Sequence, residues 1–486
     1  MSLYSFISGI FILFKAALST VACIILLLLV ISLILLLYCK YLYSKKHKNQ
    51  QRRITTVGIF HPYCNAGGGG ERVLWAVVKA LQTKYSNIHI AIYTGDLDAD
   101  PISIINRVKR VFGFEIDPKI EFIYLHKRKW VEASMYPYFT LIGQSLGSVW
   151  LGVEAMNNLL PDIYLDTMGY AFTYPLFKYI GGCRVGSYTH YPTISTDMLH
   201  HVYKRIASHN NRRIIARNPF LSAAKLLYYK LFAMLYGWTG STAELIMVNS
   251  TWTEEHINAI WKCPLKTHKI YPPCDILHLV NLPILNNDNN IRIVSVCQFR
   301  PEKGHPLMLR ALYELRTLMD EAAWEKVRLV FIGSCRNSDD ESLVKDMQDL
   351  AKHLALDENV EFKINLPYSE LISEMQQGMI GIHAMWNEHF GISVVESMAA
   401  GLIMVAHDSG GPKADIIETR NDSLNGFLAK DAEEYAQIIL KIINMTPEER
   451  NAIQISARAS VDRFSSEHFE EEFIRAMEPF FRQKQE

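Results

Sequence analysis

Apolar positions along the chain alternate between short continuous runs and longer stretches with helical spacing. The run RITTVGIFHPY predicts a buried strand that leads into a loop, and ERVLWAVVKALQTKY follows it with apolar residues at Val73, Val77 and Leu81. NIHIAIYTG predicts a second strand, and DIYLDTMGYAF, CRVGSYTHYP and LIMVNSTWTEEHI continue the series. Alternation of this kind indicates an α/β domain with a parallel sheet.

A second series follows the polar, turn-rich stretch LVNLPILNNDNNI. Its predicted strands are NIRIVSVCQF, VRLVFIGS, VEFKIN and MIGIHAM, and HPLMLRALYELRTLM is a predicted helix. We therefore predict a Rossmann-like domain at 54–280, a linker at 281–291, a second Rossmann-like domain at 292–462 and an amphipathic C-terminal helix at 463–486. Two such domains form a cleft that is lined by strand carboxyl ends and loops.

The N-terminal apolar run predicts a membrane anchor. From Ala16 to Tyr38 no residue is charged, and these 23 residues would span about 35 Å as a helix. A cleaved signal peptide is the alternative, but no basic region precedes the run. We predict a short lumenal N-terminus at 1–15, an anchor at 16–39 and a basic linker at 40–53. The positive-inside rule then places the remaining chain in the cytosol.

Two later segments combine apolar and aromatic residues. They are YPYFTLIGQSLGSVWLGVEAM at 136–156 and RRIIARNPFLSAAKLLYYKLFAMLYGW at 212–238. The second interleaves Arg and Lys with Tyr, Trp and Leu, as helices at a membrane surface do. Both segments are predicted either to contact the membrane or to be buried helices of a large domain.

The amino-acid composition argues against nucleic-acid binding and against a zinc site. Lys and Arg total 50 in the 486 residues, as do Asp and Glu, so the zero net charge does not indicate a nucleic-acid-binding protein. The eight cysteines form no CxxC pair, which favours reduced thiols over a zinc site.

Four consecutive glycines lie between a predicted strand and a predicted helix. In HPYCNAGGGGERVLW they are Gly67, Gly68, Gly69 and Gly70, with Glu71 in the first helical turn. Glycines allow close backbone approach, and amides that open a helix favour anions. The loop is therefore a candidate for binding a pyrophosphate or a sugar, although neither the GxGxxG nor the P-loop pattern is present. A tight turn without a ligand is the alternative.

Other strand-end loops carry titratable residues. Arg300 and Lys303 in QFRPEKGHP could neutralise a diphosphate, or they could be solvated loop charges. His190 in YTHYPTISTD could donate to a sugar hydroxyl, or it could be structural. DLDAD at 96–100 superficially matches a metal-binding DxD, but nothing near it in the sequence completes a metal–diphosphate site, so no metal is expected.

The segment NEHFGISVVESMAAG contains two glutamates, Glu388 and Glu396. A helix is predicted from Phe390 to a C-terminal cap at Gly401. Eight helical steps would separate the carboxylates by about 12 Å, beyond the roughly 5 to 9.5 Å of glycoside hydrolase pairs. The two are therefore expected to act separately, Glu388 on sugar hydroxyls and Glu396 on a ribose. The amides near Gly391 and Ile392 are expected to stabilise a leaving phosphate.

This segment resembles the E-x7-E signature of the retaining glycosyltransferases of family four, which have the two-domain GT-B fold. FHPYCNAGGGGERVLW, HYPTISTDML, YPPCD, QFRPEKGHP and SGGPKADI extend the resemblance over almost the whole chain. They are similar to the members that use GDP-mannose to extend a dolichyl-diphosphate oligosaccharide. The resemblance implies retaining addition of the fourth and fifth mannoses in α-1,2 linkage to Man3GlcNAc2, at the cytosolic face of the endoplasmic reticulum.

The same resemblance implies residue roles. Glu388 would contact the donor mannose and Glu396 the ribose, while Arg300 and Lys303 would bind the diphosphate together with the helix start. The glycine loop and His190 would line the reacting end. Many relatives carry an arginine where Gln298 stands, five residues before Lys303. The family is generally metal-independent, so the expected ligands are GDP-mannose and the lipid-linked acceptor, with other mannosyltransferases as possible partners.

Two alternatives remain open at this stage. One is another lipid-linked-sugar transferase of the same family. The other is a non-catalytic scaffold of the glycosylation machinery, which the presence of both glutamates, Lys303 and the glycine loop disfavours.

Overall fold

The computed structural model describes residues 54–205, 217–285, 287–420 and 423–482, together with 37, 38, 40 and 41. The predicted N-terminus at 1–15 lies outside these residues, as does almost all of the predicted anchor at 16–39 and of the basic linker at 40–53. Among the residues that are described, none of the helices combines the length and the apolar character needed to cross a bilayer.

The first domain is built on a seven-stranded, fully parallel sheet with the order β3-β2-β1-β4-β5-β6-β7. Its strands are β1 Thr55–Phe60, β2 Ile88–Thr94, β3 Ile120–Tyr124, β4 Ile163–Asp166, β5 Arg184–Thr189, β6 Leu245–Val248 and β7 Thr267–Lys269. Its helices are α1 Gly69–Lys84, α2 Pro101–Phe112, α3 Thr140–Asn158, α4 Thr196–Tyr203, α5 Pro219–Ser241 and α6 Thr251–Trp261. The strand order reverses beside β1, so the β1 and β4 loops open at a topological switch point, where α/β sheets bind ligands.

The second domain contains a six-stranded parallel sheet with the order β10-β9-β8-β11-β12-β15. Its strands are β8 Ile291–Val296, β9 Val327–Gly333, β10 Val360–Ile364, β11 Ile380–His383, β12 Ile403–His407 and β15 Phe427–Ala429, with the small antiparallel pair β13 Thr419–Arg420 and β14 Ser423–Leu424. Its helices are α7 His305–Leu318, α8 Glu321–Trp324, α9 Ser338–His353, α10 Tyr368–Gln377, α11 Ile392–Ala400, α12 Ala432–Ile443 and α13 Pro447–Ser460. The apolar runs that form β8, β9, β11 and β12 are almost entirely buried, as in a parallel sheet covered on both faces, whereas the edge strand β10 is only partly buried.

The chain crosses between the domains twice. Cys274, Ile276 and Leu279, which precede the predicted linker, pack in the same apolar cluster as α11 of the second domain. The last helix, α14 Ser466–Phe481, returns to the first domain. Its Phe469, Phe473, Met477 and Phe480 join the core that contains α1, and Glu470 pairs with Lys79 at 2.6 Å. The C-terminal helix is therefore part of the first domain's core.

Candidate active site

The loop that carries Glu388 is not helical. Helix α11 begins at Ile392, and Gly391 before it has a φ of 112°, a conformation that glycine adopts without strain. The helix ends at Ala400 and is capped by Gly401, which has a φ of 101°, as predicted. The prediction of a helix from Phe390, and with it the spacing of eight helical steps between the glutamates, was wrong. Phe390 is itself a core residue, packed between Tyr271 and Phe464.

Two glycines of SGGPKADI hold the Glu388 loop in place. The Gly411 amide donates to the Glu388 carbonyl at 2.7 Å. A Cβ at Gly410 would come within 2.3 Å of that carbonyl oxygen, and one at Gly411 within 2.5 Å of the Phe390 Cα. The two loops can therefore pack backbone against backbone only because both residues are glycine.

The Glu388 carboxylate is buried with two basic partners. Its Oε2 lies 2.5 Å from Lys303 Nζ and 3.0 Å from His383 Nε2, and its Oε1 accepts the His389 amide at 3.2 Å. Burial raises the pKa of Glu388, but the Lys303 charge and the His383 hydrogen bond outweigh it and hold this pKa well below its ordinary value. Glu388 is therefore an ionised acceptor in a site that water reaches poorly.

Lys303 and Glu388 are in direct contact, although Lys303 was predicted to bind the diphosphate and Glu388 the mannose. Lys303 ends a short 3-10 turn after β8, and its charge is matched by Glu388. Arg300 lies on the same loop, is half-buried and pairs only loosely with Glu302 at 3.7 Å. Its guanidinium is thus better placed than Lys303 to meet an added anion, because the ion pair with Glu302 is longer and more exposed than the Lys303–Glu388 pair.

Glu396 occupies a separate environment, in the second turn of α11. It accepts the Asp275 amide at 3.4 Å, and Arg72 of the first domain pairs with the Asp275 carboxylate at 3.9 Å. Burial raises the pKa of Glu396, while the Arg72 charge and the Asp275 amide act in the opposite direction. The two glutamates therefore do not share partners, which agrees with separate roles.

The glycine loop lies against the start of α11 and against His190. A Cβ on Gly69 would come 3.0 Å from Ile392 Cδ1, and one on Gly70 would come 3.5 Å from His190 Nε2. Glu71 folds back so that its carboxylate accepts the Gly68 amide at 2.5 Å. An anion at that amide would have to displace this carboxylate. Of the two ligands predicted for the loop, the geometry here favours a sugar over a pyrophosphate.

His190 is held by its neighbours in one tautomer. Its Nε2 lies 3.1 Å from the Thr167 carbonyl, which can only accept, so Nε2 carries the proton and Nδ1 is an acceptor. Burial, aided by the nearby His61, lowers the pKa of His190 to about 4. The imidazole is therefore neutral at physiological pH and acts as a hydrogen-bonding group rather than a cation.

His61 and Thr167 were missed by the sequence analysis. His61 Nδ1 contacts Thr167 Oγ1 at 2.7 Å, and its Nε2 lies 3.4 Å from Glu71 Oε1. Burial opposes ionisation of Glu71, but the His61 hydrogen bond and the Gly68 amide leave its pKa below the ordinary value. His61 directly follows β1 and Thr167 directly follows β4, so their positions at adjacent strand ends could have identified them.

Two polar clusters join the domains across the site. Asn387 Nδ2 donates to Asp197 Oδ2 at 2.6 Å. Asp415 of the second domain accepts from the Thr251 amide at 2.8 Å and hydroxyl at 2.5 Å, from Tyr271 at 2.9 Å and from Lys269 at 3.2 Å. These contacts link the two domains directly.

Two aspartates of the DLDAD stretch contact other groups of the protein. Asp96 pairs with Arg128, and Asp100 caps α2 by accepting the Ile102 and Ser103 amides at 3.0 Å. Over the described ranges, no group of three or more His, Cys, Asp or Glu side chains is arranged to hold a metal ion.

Two family models match the chain in sequence order. Residues 54–261 match the ALG11 mannosyltransferase N-terminus, and residues 283–460 match the glycosyl transferases group 1. The chain is 50% identical over 441 residues to the human GDP-Man:Man(3)GlcNAc(2)-PP-Dol alpha-1,2-mannosyltransferase, covering 90% of this chain and 89% of the human protein. The Dictyostelium discoideum protein of the same name is 44% identical, with 88% of this chain and 85% of that protein covered.

Solved structures share the fold at low sequence identity. Anabaena HepE in complex with UDP has a TM-score of 0.59 at 16% identity, covering 88% of this chain and 100% of HepE. Sucrose-phosphate synthase from Thermosynechococcus elongatus has a TM-score of 0.60 at 16% identity, with 88% and 99% covered. The predicted GT-B fold of two parallel-sheet domains is confirmed.

Proposed function

The chain belongs to the ALG11 mannosyltransferase family and is a glycosyltransferase, and from this premise we propose its reaction. The protein transfers mannose from GDP-mannose to the dolichyl-diphosphate-linked Man3GlcNAc2 oligosaccharide, adding the fourth and fifth mannoses in α-1,2 linkage. The observation that carries the proposal is the 50% identity over 90% of the chain to the human enzyme of that name. A non-catalytic scaffold is disfavoured because Glu388 and Lys303 form an intact, largely buried ion pair.

The site geometry suggests how the donor is held. The first amides of α11, at Ile392 and Ser393, have no carbonyl acceptor within the helix. Together with the Arg300 guanidinium, they would bind the diphosphate. Glu388, kept ionised by Lys303 and His383, would accept hydrogen bonds from the mannose hydroxyls. Glu396, further along the helix, would accept from the ribose.

Retention of configuration belongs to the proposal. A double displacement would need a free carboxylate nucleophile, whereas the Glu388 carboxylate already contacts Lys303, His383 and the His389 amide. We infer attack by the acceptor hydroxyl from the leaving-group side, through an oxocarbenium-like state. The departing phosphate would take the hydroxyl proton. No metal ion or cofactor is part of this scheme.

The direct test is transfer from labelled GDP-mannose to a synthetic trimannosyl lipid-diphosphate acceptor, followed by linkage analysis. Two successive α-1,2-linked mannoses are the expected products. Transfer from another nucleotide sugar, or to a shorter acceptor, would indicate a different lipid-linked-sugar transferase. Absence of both turnover and GDP-mannose binding would favour the scaffold.

Replacing Glu396 by Ala is expected to weaken donor binding more than it lowers turnover. A lost hydrogen bond to a bound ribose costs about 1 to 2 kcal/mol, so the KM for GDP-mannose should rise roughly 5- to 30-fold while kcat changes by less. Steady-state kinetics at saturating acceptor measure both. A fall in kcat with an unchanged donor KM would contradict the ribose role.

We further propose that the enzyme is anchored in the endoplasmic reticulum membrane by residues 16–39 and that its catalytic domains are cytosolic. Helix α5 supports contact with the bilayer surface. Most of its exposed large apolar residues recur at helical spacing on one face, at Phe220, Leu227, Leu231, Met234, Leu235 and Trp238. The helix contains two lysines and no acidic residue. Such a face fits the headgroup region of a membrane.

The proposed topology makes a glycosylation prediction. Asn249, Asn421 and Asn444 each begin an N-x-[ST] sequon, and none should carry glycan if the domains are cytosolic. Asn249 is in addition buried beside β6. Electrophoretic mobility before and after endoglycosidase treatment of the protein from microsomes measures this. A shift on treatment would place the domains in the lumen, and a sequon added to residues 1–15 serves as the positive control.

A further inference from the structure

Two exposed aromatic side chains flank the site without belonging to a core. Tyr191 follows His190, and Trp386 lies two residues before Glu388. They are 56% and 50% exposed, respectively, and neither joins a hydrophobic cluster of the described residues. A ligand that covered the exposed part of these two rings would remove apolar surface from water, which favours its binding.

Each of the two rings is braced on one side by a histidine of the opposite domain. Tyr191 stacks on His389 with 5.0 Å between ring centroids and 17° between planes. Trp386 stacks on His201 of α4 at 5.1 Å and 18°. Because each histidine covers one ring face and the rings remain half exposed, another part of each ring is open. The stacks also fix both rings in orientation, so little side-chain entropy is lost when a ligand binds.

Along both chain segments, the Asn387–Asp197 contact lies between the Trp386–His201 stack and the His389–Tyr191 stack. Asn387, next to Trp386, donates to Asp197 at 2.6 Å, and Asp197 also lies 3.4 Å from His256 Nε2. The Asp197 side chain remains about one-third exposed, so it retains lone pairs for an outside donor. Carboxylate and amide groups can bridge neighbouring hydroxyls.

We propose that Tyr191, Trp386 and the Asp197–Asn387 pair form a subsite for a pyranose ring of the acceptor oligosaccharide. The polarised C–H bonds of a pyranose face pack on the electron-rich face of an aromatic ring, and its hydroxyl edge meets Asp197 and Asn387. A guanine base would also stack on such rings. The placement argues for the acceptor, because both rings adjoin His190 and Glu388 at the reacting end, whereas the ribose contact is assigned to Glu396 on α11.

This subsite rests on the proposed function and deepens it. It offers one physical route to using two successive acceptors, because a stacking surface tolerates different sugar rings better than a set of fixed hydrogen bonds does. The pair Asp197–Asn387 spans the domains, so the subsite is complete only when both domains are in contact.

The test compares Trp386→Ala, Trp386→Phe, Trp386→Leu and Tyr191→Ala with wild type. The KM for the trimannosyl acceptor is expected to rise about ten-fold in both alanine variants, while the KM for GDP-mannose stays within two-fold. Trp386→Phe should recover most of the loss because it restores an aromatic face. Tyr313→Ala, at an exposed tyrosine of α7, is the matched control and should leave both KM values unchanged.

Three outcomes would overturn the subsite: an unchanged acceptor KM, a rise confined to GDP-mannose, or equal rescue by Trp386→Leu and Trp386→Phe. Calorimetric measurement of free Man3GlcNAc2 binding distinguishes failure of the subsite proposal from failure of the proposed function. Aromatic-dependent binding without mannose transfer would refute the reaction and keep the subsite. Mannose transfer with an unaffected acceptor KM would keep the reaction and refute the subsite. Thermal unfolding of each variant confirms that it is folded.

Discussion

Replacing Glu388 by Gln is expected to lower kcat about 1,000-fold, the size of effect seen when one preorganised electrostatic partner of a reacting group is removed. Glutamine keeps the shape of the side chain and can still accept a hydrogen bond from His383. It loses the negative charge, which in Glu388 lies 2.5 Å from Lys303 Nζ. That charge would orient the mannose and stabilise the positive charge that develops on its ring. Steady-state kinetics with saturating GDP-mannose measure the loss.

Two further variants define the cause of this loss. Glu388→Ala should be at least as inactive as Glu388→Gln, and near-normal turnover of Glu388→Ala would refute the assignment. Glu370→Ala, at an exposed glutamate of α10, is the matched control and should retain wild-type kcat.

The Glu388–Lys303 ion pair also predicts that the stability difference between wild type and Glu388→Gln depends on pH. The folded-state pKa of this carboxyl is held well below the ordinary 4.5, whereas the unfolded chain returns to that ordinary value. The stabilisation is therefore fully present above the unfolded pKa and is lost as pH falls through the folded pKa. Glu388→Gln should be less stable than wild type at pH 7, and the difference in thermal unfolding should shrink in acid.

Replacing Asp415 by Ala is expected to uncouple the two domains. The Asp415 side chain is 1% exposed and accepts from Thr251, Tyr271 and Lys269 of the neighbouring domain and hinge. Removing one partner of a buried charged cluster costs about 3 kcal/mol or more, since the remaining donors lose their acceptor. We expect a fall of several degrees in the unfolding temperature, and reduced activity because Glu388 and the glycine loop lie on opposite domains.

Calorimetric unfolding and turnover of the same preparations test this role. Asp415→Asn should be intermediate, because it can still accept from the Thr251 amide but leaves Lys269 without a counter-charge. Glu115→Ala removes the solvent-exposed carboxylate that pairs with Lys109 and should leave the unfolding temperature unchanged. An Asp415→Ala protein that unfolds like wild type would show that the cluster does not hold the domains together.

Local pattern was sufficient for most of the architecture. Continuous apolar runs such as VGIF and LIMV could be recognised as buried strands, and the intervening helical spacing identified α1 and α7. The motif residues were found because parallel strands bring their carboxyl ends to one edge of the sheet. The start of α11 was misplaced because the Glu388 loop takes its shape from Gly410 and Gly411, which lie about twenty residues later in the chain.

By itself, the sequence determined two α/β domains, a cleft between them and the loops that line it, since each of these follows from periodicity and strand-end position within a short window. Only the tertiary structure decided which side chains meet. Lys303 and Glu388 are 85 residues apart, Thr251 and Asp415 are 164 apart, and Lys79 and Glu470 of the returning C-terminal helix are 391 apart. No local pattern encodes such pairs, because they form only when elements that are distant in the chain pack together, within a domain or between domains, and bury charges that must then find partners.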